Sequence, residues 1–187
     1  MAAMTAEVQS TRAPRSSWTR VFQGLSDPRA ALYIAEWSSR EAYLAYNSPP
    51  LVAIDALCTS PPRRWCCQAL DVYEAGNAPP QALSLTTFQC QPSAALSLIT
   101  YLMEQSGPAI YQQPGIALRA LYQDLDHPNR IVSVRGWRSV ADLEAARLQL
   151  MPDVDTAMRA LGVRVERFTG VLRVARENRD GTGDEER

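Results

Sequence analysis

Residues 25–39 read Leu25-Ser26-Asp27-Pro28-Arg29-Ala30-Ala31-Leu32-Tyr33-Ile34-Ala35-Glu36-Trp37-Ser38-Ser39: a proline-bearing turn, a mostly apolar run, then tryptophan and two serines. The pattern returns at an offset of 100 as Leu125-Asp126-His127-Pro128-Asn129-Arg130-Ile131-Val132-Ser133-Val134-Arg135-Gly136-Trp137-Arg138-Ser139. Leu25, Pro28, Trp37 and Ser39 thus recur as Leu125, Pro128, Trp137 and Ser139. Two copies of one unit imply two copies of one fold.

Working outward, Trp18 to Gly24 alternates as a half-buried strand does, and Ser26-Asp27-Pro28 turns it into a second strand over residues 30–37. Ser38 fits an N-cap and Glu41 the N3 position of a helix beginning near Arg40, which Pro49-Pro50 interrupts. Leu51 to Cys58 reads as a second helical piece, and residues 64–73 as a strand. In the second half a strand at 83–89 precedes a helix from Ser93 to about Glu104. A hairpin at 116–124 and 130–137 follows. The next helix begins near Val140, with Leu143, Ala146, Leu150 and Val154 on its apolar face, and a last strand covers 163–174. Gly107-Pro108 and Pro114-Gly115 read as the ends of a loop that could serve as a lid.

The second half therefore has the order βαββαβ, the split-βαβ or ferredoxin-like arrangement. The first half supplies only ββαβ, because the 16 residues before Ser17 are too few for a strand and a crossover helix. Residues 4–12 give a short strand without a helix, or a second chain fills the slot, or the slot is empty. The division expected is a disordered N-terminus at 1–16, a first half at 17–75, a linker at 76–81, a second half at 82–175 and a disordered tail at 176–187. The fold class expected is α+β, with tandem ferredoxin-like halves forming a pseudo-dimeric α/β barrel.

The 187 residues, 46% hydrophobic and 21% charged, suit a soluble globular protein with a real core. A formal net charge of −1 gives no basic field for nucleic acid or an anionic membrane. All 19 basic residues are arginine, which excludes lysine Schiff-base chemistry and the P-loop. No apolar stretch has the length of a membrane span, and the first ten residues lack the pattern of a secretory signal, so a cytoplasmic protein is expected. Cys58, Cys66, Cys67 and Cys90 lack C-x-x-C spacing and read as reduced, mostly buried thiols. One histidine, His127, cannot build a Cys/His metal cluster, and no G-x-G-x-x-G or G-x-S-x-G occurs. Neither a metal nor a cofactor is expected.

Leu25 through Ala42, with Asn47-Ser48-Pro49 on the following helix, and Asp124 through Ser139 carry a resemblance. The hairpin tip, the strand ending in tryptophan, the serine and the amphipathic helix resemble the antibiotic biosynthesis monooxygenase domain over about residues 18–174. The resemblance implies the dimeric α/β-barrel fold, here with two units fused. It also implies three kinds of function: oxidation of polyketide anthrones without metal or flavin, haem degradation, or no known activity. Haem-degrading members rely on an Asn, a Trp and a His about ten residues after the Trp. This chain has Asn47 ten residues after Trp37 and Arg147 ten after Trp137, so that route lacks its histidine.

The leading expectation is a cofactor-independent monooxygenase acting on a small aromatic or polyketide-like substrate; a non-catalytic binding or structural protein is the alternative. Tyr43, Tyr46 and Asn47 share a helix face and are the candidate catalytic residues. Tyr33, Trp37, Trp137, Arg119 and Tyr122 are the candidate substrate contacts, with Tyr101, Tyr111, Arg119 and Tyr122 expected to line one groove. Both tryptophans also read as core anchors. His127 reads as a solvated hairpin-tip residue. A small aromatic ligand and a homodimer are the expected partners, with no nucleic acid and no membrane.

Overall fold

Apolar alternation and the two proline turns produce eight strands: β1 (Ala3–Gln9), β2 (Ser17–Gly24), β3 (Ala31–Trp37), β4 (Arg63–Glu74), β5 (Ala82–Gln89), β6 (Ile116–Asp124), β7 (Arg130–Trp137) and β8 (Arg164–Asn178). The structure, a computed structural model, describes residues 3–9, 17–37, 39–41, 63–76 and 78–178. Helix α1 (Ala95–Thr100) follows a 3₁₀ turn at Pro92–Ala94 and continues through a π segment (Tyr101–Ser106) into α2 (Gly107–Tyr111). Helix α3 runs from Val140 to Ala160. Ser139 caps α3, its Oγ accepting the Asp142 N–H at 3.1 Å.

The strands close into a barrel in the order β1-β3-β2-β8-β5-β7-β6-β4. Within it, β4-β1-β3-β2 and β8-β5-β7-β6 each repeat the ferredoxin-like strand order. The seams β2·β8 and β4·β6, both antiparallel, join the halves. Tandem ferredoxin-like halves thus form one α/β barrel. The two hairpin tips carry the same bonds at the same offset: Gln23 Nε2 donates to the Pro28 carbonyl at 2.8 Å, and Gln123 Nε2 to the Pro128 carbonyl at 2.7 Å.

Among the described strands, the first half differs from the second in the direction of one. β5 runs antiparallel to both neighbours, whereas β1 runs parallel to both β3 and β4. The reason is chain length. In the usual direction β1 would lie parallel to β2, and the return would need a crossover of roughly a dozen residues. Only residues 10–16 separate Gln9 from Ser17. Reversing β1 puts Gln9 opposite Trp37, at the end of the sheet where β2 begins beside Ala35, so a short connection suffices. Residues 3–9 are the strand that joins β3 to β4: of the readings offered for this slot, the short strand without a helix holds, and the disordered N-terminus does not extend over them. The vacancy that argued for a second chain is filled from within this chain.

Two further expectations are corrected. The segment from Gly107 is helical rather than a lid-forming loop, because Pro108 sits in the first turn of α2, where its missing N–H costs nothing. The last strand extends to Asn178, into the stretch expected to be a disordered tail. Arg40 and Glu41 begin a helical turn where expected; its continuation, the proposed helix at Leu51–Cys58 and Cys58 itself lie outside the described residues.

Period-two alternation sorts the strand residues between two faces. Phe22, Leu32, Ile34, Cys67, Leu83, Leu85, Leu118, Ala120, Tyr122, Val132 and Val134 fill the barrel. On the outer face of the second half, two apolar clusters hold the helices. One joins Phe88, Leu98, Leu102, Leu121, Ile131, Val154 and Met158. The other joins Ala82, Ile110, Ile116, Trp137, Leu143 and Ala146. Cys66, Cys67 and Cys90 are free thiols and buried. No helix among the described residues is long and apolar enough to cross a membrane.

Candidate functional site

Between those two apolar clusters the outer face turns polar. One line of registered residues crosses four strands as Arg119 (β6), Arg135 (β7), Ser84 (β5) and Thr169 (β8). The line beside it reads Leu121, Ser133, Thr86 and Arg167. A helix-covered sheet face is normally apolar, because polar groups lose hydration there. This band is the exception to be explained.

Arg119 is satisfied. It is 3% exposed, donates through Nη1 to Asp71 and to the Tyr111 hydroxyl, and through Nη2 to the Leu102 carbonyl at 3.0 Å. Its guanidinium also stands 4.7 Å from the Tyr111 ring centroid, and the Tyr111 O–H donates to Asp71 at 2.9 Å. Burial, with the hydrogen bond to Asp71, pushes the Tyr111 phenol above its ordinary value. Gly107 makes the arrangement possible: a Cβ there would stand 2.9 Å from Arg119 Nη2.

Arg135, its cross-strand neighbour, is not satisfied. It is 4% exposed, has no ion pair among the described residues, and its Nε is buried without a hydrogen-bond partner. Burial, with repulsion from Arg119 and Arg167, pulls its guanidinium down to about 10, so it remains charged at neutral pH. Two residues along β7, the Trp137 Nε1 is likewise buried and unpartnered, with the residue 2% exposed. Both residues line an open cleft between the sheet and α3. It encloses about 40 Å³ and opens to solvent at its mouth. Ser84, Thr86, Arg167 and Thr169 form the rest of its strand side, and Leu143, Ala146, Arg147 and Leu150 its helical side. Arg147 and Arg167 already have carboxylate partners in Glu144, at 2.8 Å, and Asp155.

The residues expected at a site are divided by this geometry. Trp137 lines the cleft and is at once a core anchor, and Arg147 joins it there. Arg119 is next to Arg135 in register but engaged elsewhere. Tyr122 does not share a groove with Arg119: three residues apart on one strand, they lie on opposite faces, and Tyr122 is packed inside the barrel. Burial holds its phenol far above the ordinary range. Tyr33 and Trp37, on β3, are half-buried and do not line the cleft. Tyr43, Tyr46 and Asn47 lie outside the described residues. His127 is exposed at its hairpin tip, 3.7 Å from Asp124.

Arg135, Ser84 and Thr86 were missed by sequence reading. The available signal was Ile131, Ser133, Arg135 and Trp137 on alternate positions of one strand, with an arginine among residues that otherwise pack.

The same architecture recurs in solved structures. An anthrone oxidase-like protein superimposes with a TM-score of 0.65 at 14% identity, over 90% of this chain and 81% of that one. A candidate monooxygenase from Fusobacterium nucleatum subsp. nucleatum gives 0.64 at 11% identity, over 90% and 81%. The fold is that of the antibiotic biosynthesis monooxygenase-like barrels. A haem-degrading enzyme from Listeria monocytogenes shares this monooxygenase-like fold more distantly, at a TM-score of 0.51 and 10% identity over 80% and 82%. No family model and no curated protein matches the chain at the level of sequence.

Proposed function

We propose that the chain is a cofactor-independent monooxygenase that takes a small aromatic, polyketide-like substrate into the cleft under α3. The observation that carries this reading is the unpartnered Trp137 N–H in a helix-covered cleft whose helical side is largely apolar. Leu143, Ala146 and Leu150 offer the surface for a ring, while Trp137 Nε1 has no partner and can donate to an oxygen on it. The likeness to an anthrone oxidase-like protein supports the same class of chemistry.

In this mechanism a phenol or hydroquinone loses its proton to water at the open mouth. The Trp137 N–H donates to the oxygen of the resulting anion where its charge is largest. A ring carbon of that anion then reacts with oxygen; for an anthrone-type methylene, CH₂ and O₂ become C=O and H₂O. Tyr43, Tyr46 and Asn47 remain the candidates for a contribution from the first half.

The test is oxygen uptake with a panel of anthrones and hydroquinones in chelator-treated buffer, comparing the intact chain with Trp137→Phe. The phenylalanine keeps an aromatic anchor and removes the donor. A turnover that falls about tenfold or more in the variant supports the reading. Binding without uptake across the panel selects the alternative, a barrel that holds its ligand without chemistry.

A further inference from the structure

We infer that Arg135 is the seat of a ligand carboxylate: the cleft takes a planar aromatic acid that enters as a monoanion. The inference rests on the reading of the cleft as the ligand site, and it adds the class of ligand.

Four observations carry it. First, Arg119 and Arg135 are cross-strand neighbours, buried to the same degree, yet only Arg119 has a carboxylate partner. A buried guanidinium without one is costly, and the described residues supply none, so the cleft calls for an anion. Second, the other arginines of the cleft are already paired, Arg147 with Glu144 and Arg167 with Asp155. The surplus is one positive charge, which matches a monoanion rather than a phosphate. Third, the pseudo-symmetry of the barrel separates folding needs from function. At the 100-residue offset Arg135 corresponds to Ala35, and β3 pairs Ala35 with Thr19 as β7 pairs Arg135 with Arg119. Ala35 is 2% exposed, so the fold accepts a small apolar residue at this position. Fourth, the polar residues lining the cleft are one serine, two threonines and three arginines beside Trp137, with no carboxylate or imidazole among them to remove a proton. A ligand that enters already ionised needs none.

The chemistry of the acceptor follows from the donor. A guanidinium presents a planar fork that matches a carboxylate through two parallel N–H···O bonds. Trp137 stands two residues along the same strand face, roughly 7 Å away. A fused two-ring acid with its carboxylate at one end and a neutral oxygen at the other spans that interval.

The probe is 6-hydroxy-2-naphthoate, with 6-hydroxy-2-naphthamide as its neutral counterpart, each titrated against the intact chain by calorimetry. Neither needs to turn over, so the result is independent of oxygen chemistry. The expected outcome is at least about tenfold tighter binding of the naphthoate, reduced to within about twofold in Arg135→Gln and retained in Arg147→Gln. Equal affinity for the two probes, no binding of the naphthoate, or a preference that survives in Arg135→Gln overturns the inference. Should the glutamine variant fail to fold, the ratio for the intact chain decides alone. Naphthoate selectivity without oxygen uptake from any hydroquinone leaves this inference standing and removes the monooxygenase reading. Uptake without selectivity does the reverse.

Discussion

Arg119 and Arg135 are the same residue type, one strand apart, and their environments predict opposite responses to substitution. Arg119 sits in a complete set of acceptors built by Asp71, Tyr111 and the Leu102 carbonyl. Asp71→Asn removes the charge that offsets its burial and is expected to cost about 1–3 kcal/mol in urea unfolding. Arg135 has no such partner among the described residues. Arg135→Met keeps much of the volume, removes the uncompensated charge, and is expected to raise stability by about 1–2 kcal/mol while abolishing carboxylate preference. A loss of stability in that variant would mean that the charge is satisfied in the free protein. Trp137 and Arg119 were legible as candidates because an aromatic at a strand end and a cation within an apolar strand stand out. Arg135 was equally visible as a letter. What made it a candidate was the helix laid over it, and strand periodicity does not say which face a helix covers.

At the scale of elements, the hairpin of β6 and β7 and the start of α3 were readable because the signals are local: a proline turn, period-two alternation, and apolar residues at 143, 146, 150 and 154. The run from Pro92 to Tyr111 was only partly readable. Gly107-Pro108 suggests a break, yet the helix passes through a π segment and restarts on that proline. The glycine is there for packing. Arg119 lies against its α-carbon and cannot retreat, being held by acceptors on β4, the π segment and α2. Gly107→Ala is therefore expected to destabilise by about 1–3 kcal/mol, although alanine is the better helix former. A neutral or stabilised variant would show that the Arg119 cluster yields.

At the scale of the molecule, β1 is the strand that closes the barrel. Removing residues 1–9 would leave β3 and β4 each with an unpaired edge, and such edges pair with other chains. The truncated protein is expected to self-associate relative to the intact chain in light scattering. If it elutes as the intact chain does, β1 is dispensable for closure. The closed barrel also has a signature in pH. Burial pushes the Cys67 thiol and the Tyr122 phenol well above their ordinary values of 9.0 and 10.0, with Asp124 and Glu36 as further causes in turn. Each keeps its proton in the folded chain while the unfolded chain ionises. Stability is then unaffected below pH about 9 and falls above it, by up to about 1.4 kcal/mol per pH unit for each group. Arg135 acts in the other direction: held near 10 against an ordinary 12.5, it loses its proton in the folded state first, and folding gains as pH rises past 10. Above pH 10 the stability of Arg135→Met therefore falls more steeply than that of the intact chain, by one proton's slope. Urea midpoints between pH 8 and 11.5 distinguish the two slopes.

The sequence by itself determined that there would be two ferredoxin-like units, where their hairpins turn, and that α3 would pack through its apolar face. Each is a matter of periodicity and turn chemistry, carried by neighbouring residues. The direction of β1, the partner that satisfies Arg119, and the absence of one for Arg135 among the described residues were decided only in three dimensions. β1 turns round because its connection to β2 is too short for a crossover. The two arginines diverge because Asp71 comes from β4, across the seam between the halves, and its carboxylate reaches one of them and not the other.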